Sequence, residues 1–430
     1  PHLGHGRSAV SFDVLRRYLT WLGYDVEFVR NVTDVDDKII DRAAAAGLTT
    51  DEVADRAFDA FTRAYDLLGN LRPTIEPKAT EHIPEMIAVI STLIERGHAY
   101  EAEGDVYFAV RSFDAYGALS RHSLDDLRAG ERVEPGAHKR DPLDFALWKA
   151  SKPGEPQWGS PWGPGRPGWH IECSAMATKY LGDDFDIHAG GSDLIFPHHE
   201  NEIAQSEAAS GVTMARYWMH NGMLNLSGEK MAKSTGHVVT LLDSLTERDP
   251  IAVRLFYLRT HYRKPLEYSD EALDDAESSL ARLRAFRRRG PDTVEADPDA
   301  ATLDAFRSAM DNDLDVAGGL AVLFDVVRRG NTARDAGEQA EPLIAAFDEI
   351  VAVLGLEAPA ADVDSDVDVS ALAEQLTLGA EIATIDDLID ARNAARSDRD
   401  WATADAIRDA LASEGIVIED TADGTIWHRN

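Results

Sequence analysis

One cysteine, Cys173, occurs in 430 residues, so no disulfide framework within the chain is possible. No apolar run approaches the roughly 20 residues of a membrane-spanning helix, and the start of the chain lacks a signal-peptide pattern. These absences lead us to expect a soluble, cytoplasmic protein. Lysine is scarce as well, with nine lysines against thirty-four arginines. Positive charge as a whole is short: 43 basic residues face 77 acidic ones, giving a net charge of −34 and a pI near 4.7. Spread along the chain, that balance argues against a nucleic-acid partner in dilute buffer. A Lys-poor, Asp-rich, Arg-tolerant composition is also what a halophile-like protein carries. At about 1 M salt the Debye length is roughly 3 Å, and repulsion of phosphate is largely screened. RNA therefore stays open as a partner, through local arginine clusters. The length allows a large core and two to four domains, and there is no internal repeat.

Against this scarcity, two of the nine lysines share one pentapeptide, Lys230-Met231-Ala232-Lys233-Ser234. A turn-like Ser227-Gly228-Glu229 precedes it. Two ammonium groups on a polar loop suit a polyphosphate clamp, though a solvated surface loop would read the same way. At the other end, His2-Leu3-Gly4-His5 opens a helix whose Val10, Val14, Tyr18, Leu19 and Leu22 share a face and which ends near Gly23. Imidazoles at a helix N-terminus, with a glycine between them, make a natural anion site. Taken together, the two segments resemble the HIGH and KMSKS motifs of class I aminoacyl-tRNA synthetases.

Elements alternate along the chain. Residues 26–29 read as a strand, followed by helices over about 36–46 and 50–68, which argues for a parallel α/β sheet. From about residue 98 a hairpin around Glu103-Gly104 is expected, then an irregular Pro/Gly/Trp-rich loop over 152–168. The sheet resumes near Phe185. A helix opens at Asp249-Pro250, and an arginine-rich helix closes before Gly290-Pro291. A helical region covers 301–355, an acidic linker 356–369, and two helices with an Asp423-Gly424 hairpin end the chain.

Trp169-His170-Ile171-Glu172-Cys173 lies about 25 residues before Phe196-Pro197-His198-His199-Glu200-Asn201-Glu202. Pro197 suits a first helical turn, so His198 and Glu202, four apart, share a face. Thiolate, imidazole and carboxylate are zinc ligands. On spacing alone, a small buried cysteine and capping histidines account for these residues more readily than a metal does. His199 and Glu200 are expected to point elsewhere.

These two segments, with Asp186-Ile187-His188-Ala189-Gly190-Gly191, Asn31-Val32-Thr33-Asp34 and Met310-Asp311-Asn312-Asp313, resemble cysteinyl-tRNA synthetase from end to end. The resemblance implies ATP-dependent ligation of L-cysteine to tRNA(Cys) through a cysteinyl-adenylate. His2, His5, Lys230 and Lys233 are then catalytic, with Gly4 and Ser234 joining them at ATP and its Mg²⁺. Thr33, Trp169 and His188 line the amino-acid pocket. Cys173, His198 and Glu202 hold a zinc ion that takes the substrate thiolate. The family's first zinc cysteine precedes its HIGH motif, so the chain is expected to be N-terminally truncated and its fourth ligand to lie upstream of Pro1. The implied layout is a Rossmann-type catalytic domain over 1–97 and 169–240, a connective insertion over 98–168 and a stem-contact region over 241–290. A helical bundle over 301–355 follows, then a mixed α/β anticodon module over 371–430. Its readers are expected to be Arg396, Trp401, Asp405 and Asp420, beside Arg392 and Arg399. For Trp401, a place in that module's core is the alternative. A monomer without membrane contact is expected. Two competing functions are a mycothiol-pathway ligase joining cysteine to an amino sugar and a catalytically silent tRNA-binding paralogue. Glu202 and the C-terminal module speak against the first, and the intact His and Lys motifs against the second.

Overall fold

The computed structural model describes residues 1–122, 138–226, 240–291, 293–357, 369–376, 378, 382, 385–397, 399–414, 416–421 and 424–429. Two compact units, Pro1–Leu356 and Glu357–Asn430, make up the chain. Among the described residues no helix is long and apolar enough to cross a membrane.

In the first unit, α1 (Leu3–Trp21) buries Val10, Val14 and Tyr18. The Asp36 carboxylate accepts from Ile39 N to start α2 (Asp37–Ala46), which stops at left-handed Gly47. Thr49 and Glu52 form a capping box on α3 (Thr50–Leu67). The strand expected at 26–29 does not form. That segment makes only isolated parallel bridges, Val29 to Ile75 and Val32 to Lys78. Its neighbour carries Pro73 and Pro77, which have no N–H to continue a ladder.

After α4 (Ile83–Glu95), an antiparallel sheet is built from β1 (Ala99–Ala102), β2 (Asp105–Phe108), β3 (Phe145–Ala150) and β4 (Gly165–Pro167), in that order. Glu103 and Gly104, with φ of 53° and 88°, make the tight β1–β2 turn. The stretch expected to be irregular thus ends in a short strand. Pro167 is tolerated because β4 is an edge.

Next come α5 (Trp169–Leu181), β5 (Phe185–Gly191), α6 (Glu200–Ser210) and β6 (Ala215–Asn221), with β5 parallel to β6. A second parallel pair joins β7 (Leu224–Leu226) to β8 (Leu266–Tyr268), with α7 (Leu241–Glu247) and α8 (Pro250–Leu258) between them. Parallel pairs bridged by helices define the α/β class. Four helices follow: α9 (Asp270–Arg288), α10 (Ala300–Met310), α11 (Val316–Asp335) and α12 (Glu341–Leu354). One apolar core runs from α1 through α8 into these helices, and a second, around Met86, Phe108, Trp148 and Ile171, lies under the antiparallel sheet.

A buried guanidinium ties α1 to the bundle. Arg254 on α8 lies 2.5 Å from the Asp13 carboxylate and donates to Leu68 O at 3.1 Å and Leu354 O at 2.8 Å. Arg17 also pairs with Asp13, at 2.8 Å, and donates to Ala352 O. The Asp311 and Asp313 carboxylates serve the same junction, accepting from Tyr18 and from Arg263 and Tyr262.

The second unit contains α13 (Val369–Gln375), α14 (Ile385–Ser397), α15 (Trp401–Ser413) and the antiparallel hairpin β9 (Ile416–Thr421) and β10 (Gly424–Arg429). Asp423 of the expected turn lies outside the described residues. Leu388, Ile389, Ile407, Leu411 and Ile416 form this unit's own core.

Candidate active site

His2 is the N-cap of α1, and its ring stacks on His5 with centroids 3.6 Å apart. The His2 backbone N–H donates to His5 Nδ1 at 3.1 Å. A Cβ at Gly4 would lie 3.0 Å from the His2 ring, so this stacking uses the missing side chain. Burial pushes His5 down to about 4 and also lowers His2, so both imidazoles are neutral at pH 7. They offer N–H donors and lone pairs at the positive end of a helix, while formal positive charge must come from elsewhere.

Lys230, Lys233 and Ser234 lie outside the described residues. The residues flanking them stand on the His-Leu-Gly-His turn. Leu241 N donates to Pro1 O at 3.0 Å, and Thr240 bridges His2. On the near side, buried Arg7 donates to Met223 O at 2.8 Å, to Tyr262 O at 3.3 Å and to Lys264 O. Burial lowers Arg7 to about 10, so it keeps its charge, and no carboxylate pairs with it among the described residues. Sequence reasoning missed Arg7. Its signal is position: it sits on the apolar stripe, four after Leu3 and three before Val10.

A second constellation joins α5, β5 and α6. Ligand atoms of Cys173, His198 and Glu202 lie within 4.8 Å of one another. His198 Nε2 is 2.8 Å from Glu202 Oε1, and His188 Nε2 is 3.2 Å from Oε2. Neither contact has hydrogen-bond geometry, which leaves both oxygens of a wholly buried carboxylate without a directed donor. Burial alone would raise the Glu202 carboxyl, but His188 and His198 outweigh it and hold it well below the usual range. Burial, and then Glu202 and Glu172, push the Cys173 thiol well up. An undirected buried carboxylate facing an imidazole and a soft sulfur is a donor set that fits zinc. His170 Nδ1 lies 2.7 Å from His198 Nδ1, the outer contact that fixes a ligating ring. Burial pushes His170 down to about 3.

His199 does not point away. With His188 and Glu202 it forms another group within 4.8 Å, and its Nδ1 meets His220 Nε2 at 2.8 Å. The wide turn Ile195–His199 precedes α6, so regular helical stagger begins only after it. Gly190 admits the ring, since a Cβ there would lie 2.9 Å from it. Glu200 does leave the site, accepting from Gly117 N and Ser120 N at 2.8 Å each. Trp169 stacks on His198 at 4.2 Å and remains 43% exposed, forming an aromatic wall open to solvent. His188 lies between Trp218 and His199. Thr33 sits against Glu172, whose carboxyl is raised well above its range by burial, against the pull of that hydroxyl. His170, His199 and His220 are further residues of the site that no spacing rule singled out.

In the second unit, Trp401 opens α15 and stays 58% exposed, outside the core. Asp405 lies one turn on, paired with Arg408 at 3.0 Å. Arg396 is half-buried in the last turn of α14, Arg399 follows the helix with φ of 63°, and Arg392 is buried. Asp420 stands opposite Thr425 in the hairpin.

Residues 1–278 match the family described as tRNA synthetases class I (C) catalytic domain, 305–358 the DALR domain, and 382–427 the cysteinyl-tRNA ligase anticodon binding domain. Cysteine–tRNA ligase of Mannheimia succiniciproducens is 49% identical over 432 residues, covering 100% of this chain and 92% of the relative. That of Thioalkalivibrio sulfidiphilus is 51% identical over 435 residues, again with 100% and 92% covered. Among solved structures, Mycobacterium tuberculosis methionyl-tRNA synthetase in complex with methionyl-adenylate shares the fold, with a TM-score of 0.60 and 19% identity over 84% of this chain and 87% of that one.

Proposed function

We propose that this chain, which belongs to the cysteinyl-tRNA synthetase family and attaches L-cysteine to tRNA(Cys) with ATP, works through a cysteinyl-adenylate and selects its amino acid with a metal-held thiolate. The convergence of Cys173, His198 and the undirected carboxylate of Glu202 carries this reading.

In the first step the cysteine carboxylate attacks the α-phosphorus of ATP and pyrophosphate leaves. His2 and His5, neutral at the N-terminus of α1, hold the phosphates by N–H donation, with Gly4 leaving room for close approach. Lys230 and Lys233, with Ser234, supply the positive charge on the β- and γ-phosphates, together with Mg²⁺ carried by ATP. In the second step a hydroxyl of the terminal tRNA ribose attacks the acyl carbonyl and AMP leaves. Positioning and electrostatics account for most of the rate, with little proton transfer required.

Zinc held by Cys173, His198 and Glu202 would ligate the soft thiolate of cysteine and leave serine's hard hydroxyl unbound. Trp169 packs against His198 and closes one wall, while Thr33 and His188 line the rest. The insertion 98–168 and the region 241–290 frame this site. The bundle 301–355 follows, and the module 371–430 reads the anticodon through Arg396, Trp401, Asp405 and Asp420 by stacking and base-edge hydrogen bonds.

Metal analysis with ATP–pyrophosphate exchange tests the reading. One zinc per chain is expected, lost in Glu202→Gln, with cysteine-dependent exchange falling by roughly 100-fold or more. Undiminished exchange in metal-free protein would overturn it.

A further inference from the structure

Cys173 stands on α5, whereas Glu202 stands on α6 and His198 on the turn leading into it. The geometry of the three donors therefore depends on how α5 and α6 are held apart. One side chain bridges the two helices at the level of the site. Gln205 of α6 is wholly buried, and its amide nitrogen donates to His170 O at 2.9 Å and to Ser174 Oγ at 2.8 Å, both on α5. His170 and Ser174 bracket Cys173 in the chain. Gln205 itself comes one helical turn after Glu202, a neighbouring position on the same face.

Each donor is reached through these two bonds. Cys173 is carried by the turn of α5 that the amide holds. His198 is oriented by the His170 ring, 2.7 Å away, and the His170 carbonyl is one of the amide's two acceptors. Ser174, the other acceptor, turns its own proton toward Glu202 O, 3.5 Å away. The far atom of the amide, Gln205 Oε1, is buried with no hydrogen-bond partner among the described residues. A buried orphan acceptor costs stability that an apolar side chain of similar shape avoids. His170 O lies inside α5, where a helical N–H serves it as well. Stability alone therefore does not call for glutamine at 205. What glutamine adds is a pair of directed bonds between the helices.

We propose that Gln205 is a positioning residue of the metal centre, setting the span from the Cys173 sulfur to the Glu202 carboxylate and so the fit of a metal-held substrate thiolate. The proposal rests on the metal-held thiolate reading above. Gln205 acts through the two helices and ligates nothing itself, in the way that outer contacts tune a metal site.

The test uses the full chain loaded with Co²⁺, reading the sulfur-to-cobalt charge-transfer band, with Zn²⁺ affinity measured by chelator competition. Gln205→Met keeps the shape and removes both donors. Its metal affinity should fall about 10–100-fold, the usual effect of losing an outer contact, and its charge-transfer band should shift or weaken. The KM for cysteine in ATP–pyrophosphate exchange should rise by roughly tenfold or more while kcat at saturating cysteine holds. The melting temperature of the metal-free variant should match the wild type. Ser174→Ala, which removes one of the two acceptors, should fall between wild type and Gln205→Met. Leu323→Ala opens a cavity in the core of the helical bundle, so it should lower the melting temperature and leave the band and metal affinity alone. A band and metal affinity in Gln205→Met equal to those of the wild type would overturn the proposal. So would equal shifts in Gln205→Met and Leu323→Ala, which would reduce the effect to general loosening. A wild-type chain without any sulfur-to-cobalt band would overturn the metal reading itself, and this inference with it.

Discussion

Arg7 shows how one side chain couples α1 to the segments beside it at the proposed nucleotide site. Its guanidinium holds carbonyls at 223, 262 and 264 while its backbone continues the His2–His5 turn. Arg7→Met should therefore misplace β7 relative to α1 and slow ATP–pyrophosphate exchange by up to about 100-fold. The KM for cysteine should hold, and Arg7→Lys should recover part of the loss. Steady-state exchange kinetics check this; equal losses in both variants, with cysteine KM rising in step, would indicate simple unfolding. Asp13 has a different role. It is the buried carboxylate shared by Arg254 and Arg17, and removing it strands two guanidiniums. Asp13→Ala should cost about 3–5 kcal/mol of stability, read from denaturant midpoints at constant slope. A cost below about 1 kcal/mol would show that water replaces the pair. Neither residue was legible as functional in the sequence. Asp13 and Arg254 are 241 positions apart, and local patterns carry no information over that distance.

Elements with their own chemical punctuation were readable. Helix starts expected near Asp36, at residue 50 and at Asp249-Pro250 all appear in the fold, capped by Asp36, by Thr49 with Glu52 and by Asp249. The four-residue spacing of His198 and Glu202 likewise brings two donors to one face. Harder elements depended on a partner segment, as at residues 26–29, where the prolines that limit pairing lie on the facing segment 73–78. His199 eluded a helical-wheel argument because it belongs to a wide turn. Trp401 was ambiguous because an N-terminal helix position can face in or out, and only the packed module decides. Its exposed ring on α15 leads to a further prediction. Trp401→Ala should weaken tRNA(Cys) binding by about 1–3 kcal/mol, the value of one base stack, and leave pyrophosphate exchange intact. Fluorescence-detected titration with tRNA tests this, and unchanged affinity would make the tryptophan a bystander.

Across the molecule, charge and buried imidazoles set the working conditions. Burial holds His5 and His220 near 4, His170 near 3 and His199 near 2. In the unfolded chain these rings protonate near 6.5, so below that pH the unfolded state binds more protons. Their stabilising effect is complete above about 6.5 and declines as the pH falls toward about 4. Melting temperature of metal-free protein should therefore hold from pH 8 to about 7 and drop on acidification from about 6.5 to 5. Salt must be held near 1 M, where relief of the −34 self-repulsion is screened and cannot mask the trend. A flat profile would place these rings in water. Composition made the acidic balance and the salt argument legible from the start. The central claim, that a metal-held thiolate decides the amino acid, is tested most directly by charging tRNA(Cys) with cysteine and with serine on zinc-loaded enzyme in high salt. The account predicts that serine is used on the order of 10⁴-fold less efficiently than cysteine. Serine used within about 200-fold of cysteine, the range of a pocket that discriminates by fit alone, would contradict it.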